Sequence, residues 1–192
     1  MADRRILNVE KLASGGDGIA FSDGQVVFIP FSIPGERLLC HITEETADFL
    51  RAEILENLSA SPYRVAAPCP LFGDCGGCDL QHIEYSRQLE LKGQIFAESL
   101  SRIAKLPEQE FSLRASAPYA YRNRVELHVT ADQGFGYMKR GSGNAIRAPG
   151  CPIAAKPISD WLKTQNRKGK PSKELQARIG PKERFVLFAQ SG

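Results

Sequence analysis

The spacing of the cysteines constrains this chain more than any other feature of its sequence. Cys69, Cys75 and Cys78 fall within ten residues, and Cys151 follows after a gap of 72 residues with a proline behind it. The segment around the first three is rich in proline and glycine, which excludes a long helix there. This pattern predicts that four thiolates meet at one metal site.

The kind of metal follows from the ligands and their spacing. Thiolates suit both iron–sulfur clusters and zinc. Gly76 and Gly77 allow backbone amides to approach cluster sulfides, and a distant cysteine followed by proline recurs in [4Fe–4S] proteins. Structural zinc usually joins two short Cys-x2–4-Cys pairs, and only one is present here. The spacing favours a [4Fe–4S] cluster and leaves zinc open.

A third interpretation is that the cysteines are scattered core residues. The concentration of three thiols in one Pro/Gly loop argues against it. The fifth cysteine, Cys40, is different, because it lies in the apolar run Leu38–Cys40 and is expected to be a small buried core residue.

The chain shows no sign of a membrane segment. No apolar run approaches the ~20 residues that span a bilayer, and the N-terminal residues lack the apolar core of a signal peptide. We therefore expect a cytoplasmic protein, in which clustered thiols indicate metal binding or catalysis instead of disulfides.

Charge is divided unevenly along the chain. Residues 1–62 contain five Lys/Arg and ten Asp/Glu, a net charge of −5, whereas residues 63–192 contain twenty and twelve, a net charge of +8. A basic half predicts an anionic partner, most often nucleic acid. A solvated basic surface is the alternative.

Short apolar runs separated by turn residues predict a β-rich α+β fold. Residues 1–60 contain five short strands, with Asp23-Gly24 at a hairpin turn, as in a small OB-like barrel. Residues 61–84 form a loop, and residues 85–106 an amphipathic helix whose apolar face is marked by Leu89, Phe96, Leu100 and Ile103.

Residues 112–192 are predicted to form an α+β domain. Val125, Leu127 and Val129 alternate with polar residues, as in a half-buried strand, and residues 134–138 suit its hairpin partner. Ile158 and Leu162 mark a short helix, and residues 175–179 and 185–189 a final hairpin.

Specific motifs resemble a known family. The block Cys69–His82, with its Cys-Gly-Gly-Cys core, resembles the RNA (uracil-5-)-methyltransferases, in particular those that methylate 23S rRNA and carry a TRAM domain before a [4Fe–4S] cluster. The resemblance returns at residues 121–124, 134–137 and 151–153. In the first segment, residues 15–18, 27–30 and 34–36 fit TRAM.

This resemblance implies a function and a cofactor. In the family, a cysteine thiolate attacks C6 of a flipped-out uridine, and C5 takes a methyl group from S-adenosylmethionine (SAM). Family members continue beyond the point corresponding to Gly192 into a SAM-binding domain, and no spare cysteine suits the nucleophile. We therefore expect a truncated RNA-binding portion without catalytic residues, inactive alone, that meets SAM only in a full-length protein.

Two other functions stay open from the sequence. One is a free-standing RNA-binding adaptor with a structural iron–sulfur or zinc site, and the weaker one is a redox carrier. No protein partner is implied, and a monomer is expected.

The resemblance also points to individual side chains. Arg122, Arg124, Lys139 and Arg140 are expected to contact RNA phosphates, with surface salt bridges as the alternative. Gln81 and His82 directly follow the cysteine loop and are expected to hydrogen-bond to the cysteine ligands, although a satisfied loop histidine is nearly as good an interpretation.

Overall fold

The computed structural model describes residues 3–167 and the strand at residues 184–188. The chain divides into two compact units. The first unit comprises Met1–Ala67 and Asp79–Arg114, and the second comprises Pro68–Cys78 and Ala115–Gly192. The loop that carries three of the cysteines therefore packs with the second unit. The domain boundaries proposed from the sequence stay a prediction.

The first unit is built on one curled, half-barrel sheet. Its strands are β1 (Arg4–Asn8), β2 (Lys11–Leu12), β3 (Gly18–Ser22), β4 (Gln25–Ile29), β5 (Arg37–Glu45) and β6 (Phe49–Ser59), in the order β1-β5-β6-β4-β3-β2. All neighbours are antiparallel except β4 and β6. The predicted β-rich fold is confirmed, and β2 was missed because two residues are too few to show alternation.

The predicted hairpin between β3 and β4 is present. Ser22 pairs with Gln25, and both turn residues, Asp23 and Gly24, have positive φ angles of 51° and 83°. Turns of this kind match the twist of the flanking strands, and Asp-Gly is among their preferred sequences.

The helix α1 spans Tyr85–Arg102, but its buried face is not the predicted one. Leu91 and Gly93 are buried, whereas Phe96 is 49% exposed and Ile103, beyond the helix end, is 78% exposed. Gly93 faces Leu113, whose Cδ1 would lie 3.0 Å from a Cβ at that position. The later chain thus packs where the glycine leaves room, which the apolar spacing of the helix does not reveal.

The second unit contains a four-stranded antiparallel sheet and a helix. Its elements are β7 (Arg124–Val129), β8 (Phe135–Met138), β9 (Ala145–Arg147), α2 (Lys156–Arg167) and β10 (Arg184–Phe188), with sheet order β10-β7-β8-β9. Val125 and Leu127 are buried as predicted, and Phe135 packs against Trp161 at 5.4 Å between ring centroids.

Two further predictions concern the C-terminal part and membranes. The first strand of the predicted final hairpin, residues 175–179, lies outside the described residues, while β10 pairs with β7. Among the described residues, no helix is both long and apolar enough to cross a bilayer.

Candidate metal centre

The loop that carries Cys69, Cys75 and Cys78 is a series of tight turns. The Phe72 amide donates to the Cys69 carbonyl at 3.1 Å, and the Cys75 amide donates to the Leu71 carbonyl at 2.8 Å. Leu71 packs against the apolar core of the second unit. Gly73 has a φ of +98°, a conformation that favours glycine. The turns therefore bring the three cysteines close together along the backbone.

The end of β8 holds this loop in place. The Gly76 amide donates to the Met138 carbonyl at 3.0 Å, and the Arg140 amide donates to the Asp74 carbonyl at 2.8 Å. The Arg140 guanidinium also donates to the Cys78 carbonyl at 3.1 Å. Arg140 is half-buried, and these two hydrogen bonds hold the backbone before Cys75 and at Cys78.

Cys151 is positioned by the first turns of α2. Its amide donates to the Ser159 hydroxyl at 3.1 Å, and its carbonyl accepts from the Ala154 amide at 3.2 Å. The next residues pair with Arg122, whose amide donates to the Ile153 carbonyl at 2.9 Å. The Cys151 side chain packs against the same apolar core as Leu71.

The thiols influence one another. Burial raises the pKa of Cys75, and the charges of Cys69 and Cys151 raise it further, while the Gly77 amide and the Arg140 guanidinium act in the opposite direction. The distant Cys151 is therefore in the electrostatic neighbourhood of the loop cysteines. All four predicted ligands are half-buried and reduced. Within the described residues, no three His, Cys, Asp or Glu side chains are grouped so as to hold a single metal ion.

Tyr137 in β8 brings a buried hydroxyl to the cysteines. Burial raises the pKa of this phenol, and the neighbouring thiols of Cys151 and then Cys75 raise it further. The hydroxyl oxygen is buried, and a side-chain hydrogen bond with Cys151 is among the causes that raise its pKa. Sequence reasoning did not single out this hydroxyl, although Tyr137 shares the β8 face of the core residue Phe135 and a buried tyrosine usually has a partner for its hydroxyl.

Gln81 and His82 lie in the first unit. His82 is 4% exposed and meets the Phe31 ring edge-on at 6.1 Å between centroids. Burial lowers the pKa of His82 to about 4, and the charge of Arg64 lowers it further, against a hydrogen bond with the Ser32 backbone. His82 is therefore neutral at pH 7. Support of the cysteines by Gln81 and His82 stays a prediction.

The basic residues predicted to contact RNA differ in exposure. The side chains of Arg122, Arg124 and Lys139 are exposed, whereas Arg140 is half-buried and bonded to the cysteine loop. The Arg122 Nε donates to the Arg124 backbone carbonyl at 3.2 Å, so the Arg122 side chain lies against the start of β7. RNA contact by all four residues stays a prediction.

A buried ion pair in the first unit was missed by sequence reasoning. The Glu36 side chain is fully buried and accepts two 2.6 Å hydrogen bonds from Arg64, and others from Ile33, Asn57 and Ser61. Burial raises the pKa of Glu36, but these hydrogen bonds outweigh it and hold the pKa below its ordinary value. Glu36 and Arg64 lie 28 residues apart, and nothing in the local pattern of either one signals the pairing.

Comparison with known proteins defines the class first. Residues 5–55 match the family model of the TRAM domain. The match covers β1 to β5 and most of β6, so the curled sheet of the first unit is a TRAM domain.

Similar proteins of known sequence are RNA methyltransferases. An uncharacterized RNA methyltransferase of Streptomyces avermitilis is 36% identical over 98% of this chain and 48% of its own length. The 23S rRNA (uracil(1939)-C(5))-methyltransferase RlmD of Shewanella amazonensis is 35% identical over 84% of this chain and 38% of its own length. The chain thus carries a TRAM domain and is similar to RNA methyltransferases over most of its length, and it spans less than half the length of these curated relatives.

A solved structure supports the same relationship. The tRNA (uracil-54, C5)-methyltransferase of Pyrococcus abyssi, solved with S-adenosyl-L-homocysteine, matches with a TM-score of 0.59 and 26% identity. The match covers 84% of this chain and 36% of that one.

Proposed function

We propose that this chain is the RNA-binding, [4Fe–4S]-bearing portion of a SAM-dependent RNA (uracil-5-)-methyltransferase that acts on 23S rRNA. The observation that carries the proposal is the TRAM match at residues 5–55 together with 35% identity to a 23S rRNA uracil methyltransferase over 84% of this chain. The structural match to a second uracil-C5 methyltransferase of RNA supports the same class of target base.

The residues around the cysteines fit an iron–sulfur cluster. Cys69, Cys75, Cys78 and Cys151 would hold it, and the buried Tyr137 hydroxyl lies beside two of these thiols, Cys151 and Cys75. Cluster ligands surround four irons, so the four thiolates have to lie around a common space instead of converging on one ion. When bound, the cluster would supply a rigid cross-link between the loop and the start of α2.

The chain's own residues prepare that site. Burial raises the pKa of Cys75 overall, and the Gly77 amide and the Arg140 guanidinium act against that rise. Gly77 lies beside Cys75, whose sulfur would be in ordinary van der Waals contact, at 3.5 Å, with a Cβ at that position.

RNA binding is proposed for the basic half of the chain. Its net charge of +8 favours phosphate contact. The side chains of Arg122, Arg124 and Lys139 are exposed. The backbone of Lys139 pairs with that of Cys75, and the backbone of Arg122 pairs with that of Ala154, close to Cys151 in sequence. The TRAM domain, with its acidic segment, would contribute shape and local contacts more than overall charge.

SAM does not fit the described residues. SAM-binding units of the doubly wound type place a helix between parallel neighbouring strands, whereas the parallel strands described here, β4 and β6, are connected through β5. None of the described residues is proposed to bind SAM, and methyl transfer is proposed for the whole enzyme.

RNA binding is tested by the salt dependence of affinity. Anaerobically purified chain is titrated against a fluorescent 23S rRNA fragment at several salt concentrations. The double variant Arg122→Ala/Arg124→Ala should make the negative slope of log affinity against log salt shallower by about 1.4 to 1.8. Each lost phosphate contact removes about 0.7 to 0.9 from its magnitude.

Arg37→Ala is the matched control, because Arg37 is an exposed arginine of the acidic first unit. It should leave the slope unchanged. Equal slopes for the wild type and the double variant would contradict the proposed interface, and equal affinity for the rRNA fragment and an unrelated RNA would contradict the proposed substrate.

A further inference from the structure

A groove in the first unit has the features of a ligand site. It lies between strands β2–β4 and the C-terminal half of α1, both of which belong to that unit, and its volume is about 250 Å³. Pockets for drug-sized ligands occupy roughly 300–1,000 Å³, so this groove suits a single small ring system. Leu12 and Ile95 line it and pack into the apolar core, which holds the two walls in place.

A row of cross-strand neighbours runs along the sheet wall of the groove. The row consists of residues that pair directly across β2, β3, β4 and β6, namely Lys11, Ile19, Phe28 and Arg51. Directly paired residues present their side chains on the same face of a sheet, and Ile19 and Phe28 line the groove. The row therefore places a half-buried aromatic ring between a lysine and an arginine.

The α1 wall supplies hydrogen-bond acceptors. Glu98 Oε1 accepts from Lys11 Nζ at 2.6 Å and from the Arg102 guanidinium at 2.7 Å. These two hydrogen bonds, that of Lys11 first, hold the pKa of Glu98 below its ordinary value, so the side chain is a carboxylate at pH 7. Within the described residues, both bonds go to Oε1 and leave Oε2 to accept from a ligand. The Ser99 hydroxyl donates to the Ile95 carbonyl at 2.8 Å, so its oxygen is also an acceptor.

The charges around the groove favour a phosphate-bearing ligand over an apolar peptide. The cluster of Lys11, Arg102 and Glu98 has two cations and one carboxylate, a net charge of +1. Lys11 is part of the sheet wall and Arg102 of the α1 wall, so a cation stands on each side of the groove.

Arg51 adds a third cation beside the aromatic ring. Its guanidinium lies 5.7 Å from the centre of the Phe28 ring. Its contacts with Asp17 and Glu44 are 3.5 and 3.4 Å long, whereas strong charge-assisted hydrogen bonds measure about 2.7–2.9 Å. Arg51 is therefore loosely paired and able to bind a phosphate. Proteins hold unstacked RNA bases with such a combination of aromatic ring, edge-reading polar groups and cations for the backbone.

We propose that this groove binds one unstacked RNA base that carries an exocyclic amino group, so adenine, cytosine or guanine and not uracil. The base would stack on Phe28 and donate from its amino group to Glu98. Uracil presents a carbonyl oxygen where cytosine presents its amino group, and a carboxylate repels that oxygen. The inference rests on the proposed function, because its ligand is RNA, and it places a base other than the target uridine in the first unit.

The test titrates the anaerobically purified chain against two fluorescent RNA hexamers, one of cytidine only and one of uridine only. Glu98→Gln changes the acceptor, and Phe28→Ala removes the stacking ring. Glu90→Gln is the control for the first change, since Glu90 is another α1 carboxylate paired with an arginine and lies outside the groove lining. Phe21→Ala is the control for the second, since Phe21 is an exposed aromatic residue of β3 outside the lining.

Wild type should bind the cytidine hexamer about tenfold more tightly than the uridine hexamer. Glu98→Gln should bring the ratio of the two affinities close to one, because an amide can turn either its oxygen or its NH2 group towards the base. Phe28→Ala should weaken the binding of both hexamers about tenfold. Both controls should match wild type.

Equal affinity of wild type for the two hexamers would overturn the inference, and a groove that instead receives a protein side chain would give that result. A cytidine preference that Glu98→Gln retains would overturn it as well, even if Phe28→Ala failed to fold. A chain that does not bind the 23S rRNA fragment at all would overturn the proposed function. Binding of that fragment without a preference between the hexamers would overturn the inference alone, so the two failures are distinguishable.

Discussion

The two units of this chain are stabilised in different ways. The first unit has a continuous apolar core inside a curled sheet and a buried ion pair, Glu36 with Arg64, whose carboxylate is fully hydrogen-bonded. Among the described residues, the longest strand of the second unit is β7 with six residues, whereas β5 and β6 of the first unit have nine and eleven. The second unit places half-buried thiols beside the buried hydroxyl of Tyr137.

This difference separates structural polar groups from functional ones. In the first unit, the buried charge meets its partners within the protein, so it explains stability. In the second, the half-buried thiols and the buried Tyr137 hydroxyl lie near one another, and the proposed cluster gives these thiols a role beyond packing. Net charge follows the same division, with the acidic excess before residue 63 and the basic excess after it.

The largest expected effect is in the first unit. Arg64→Met should lower the free energy of unfolding of that unit by about 3–5 kcal/mol at pH 7, because it leaves Glu36 buried without its counter-ion. The loss should shrink as the pH falls, since Glu36 would then take up a proton. Hydrogen exchange read by mass spectrometry reports each unit separately and should show faster exchange in the first unit alone.

Arg102→Met is the control for this change. Arg102 pairs with Glu98, but its side chain is 69% exposed, so the loss should stay below about 1 kcal/mol. Equal losses for the two variants would contradict the view that the buried pair stabilises the first unit.

A somewhat smaller loss in the free energy of unfolding is expected when the pH is lowered from 7 to 4. His82 has a folded-state pKa of about 4 and an ordinary value of 6.5, so the unfolded chain takes up its proton first as the pH falls. Its contribution is complete above pH 6.5 and is lost progressively towards pH 4, by about 3 kcal/mol in total. Denaturant unfolding of the first unit between pH 7 and 4 measures this slope.

His82→Gln should flatten that pH dependence, while His41→Gln should leave it in place. If both variants kept the wild-type slope, His82 would not be the buried neutral group described here.

The smallest of the stability effects is expected in the second unit. A Cβ at Gly136 would lie 1.7 Å from the Ile146 carbonyl of β9, so Gly136→Ala should separate β8 from β9 at a cost of about 1–3 kcal/mol. Fluorescence of the single tryptophan, Trp161 on α2, reports this unit during unfolding. Gly143→Ala, with open space around it, should unfold like wild type.

Local patterns predicted much of this fold. The Asp-Gly turn gave the β3–β4 hairpin, and alternation gave β7 with Val125 and Leu127 facing the core, because both signals depend on adjacent residues. The prediction of which face of α1 is buried was wrong. Gly93 lies against Leu113, a residue beyond the end of the helix, and apolar spacing within the helix carries no information about that contact.

The candidate site was predictable only in part. Cysteine spacing pointed to the four thiols, and the structure places Cys69, Cys75 and Cys151 within electrostatic reach of one another. The structural role of Arg140 and the buried hydroxyl of Tyr137 were not predicted, because both depend on how β8 docks the cysteine loop. The Glu36–Arg64 pair was missed for the same kind of reason.

The most direct test of the central claim is the iron and acid-labile sulfide content of the chain after anaerobic purification, with wild type, Cys151→Ser and Cys40→Ala measured side by side. Wild type and Cys40→Ala should contain iron and sulfide in equal amounts, about four of each per chain, because Cys40 is a buried core residue whose pKa burial raises to about 11. Cys151→Ser should lose most of both. Zinc at one per chain without iron, or full iron content in Cys151→Ser, would contradict the account.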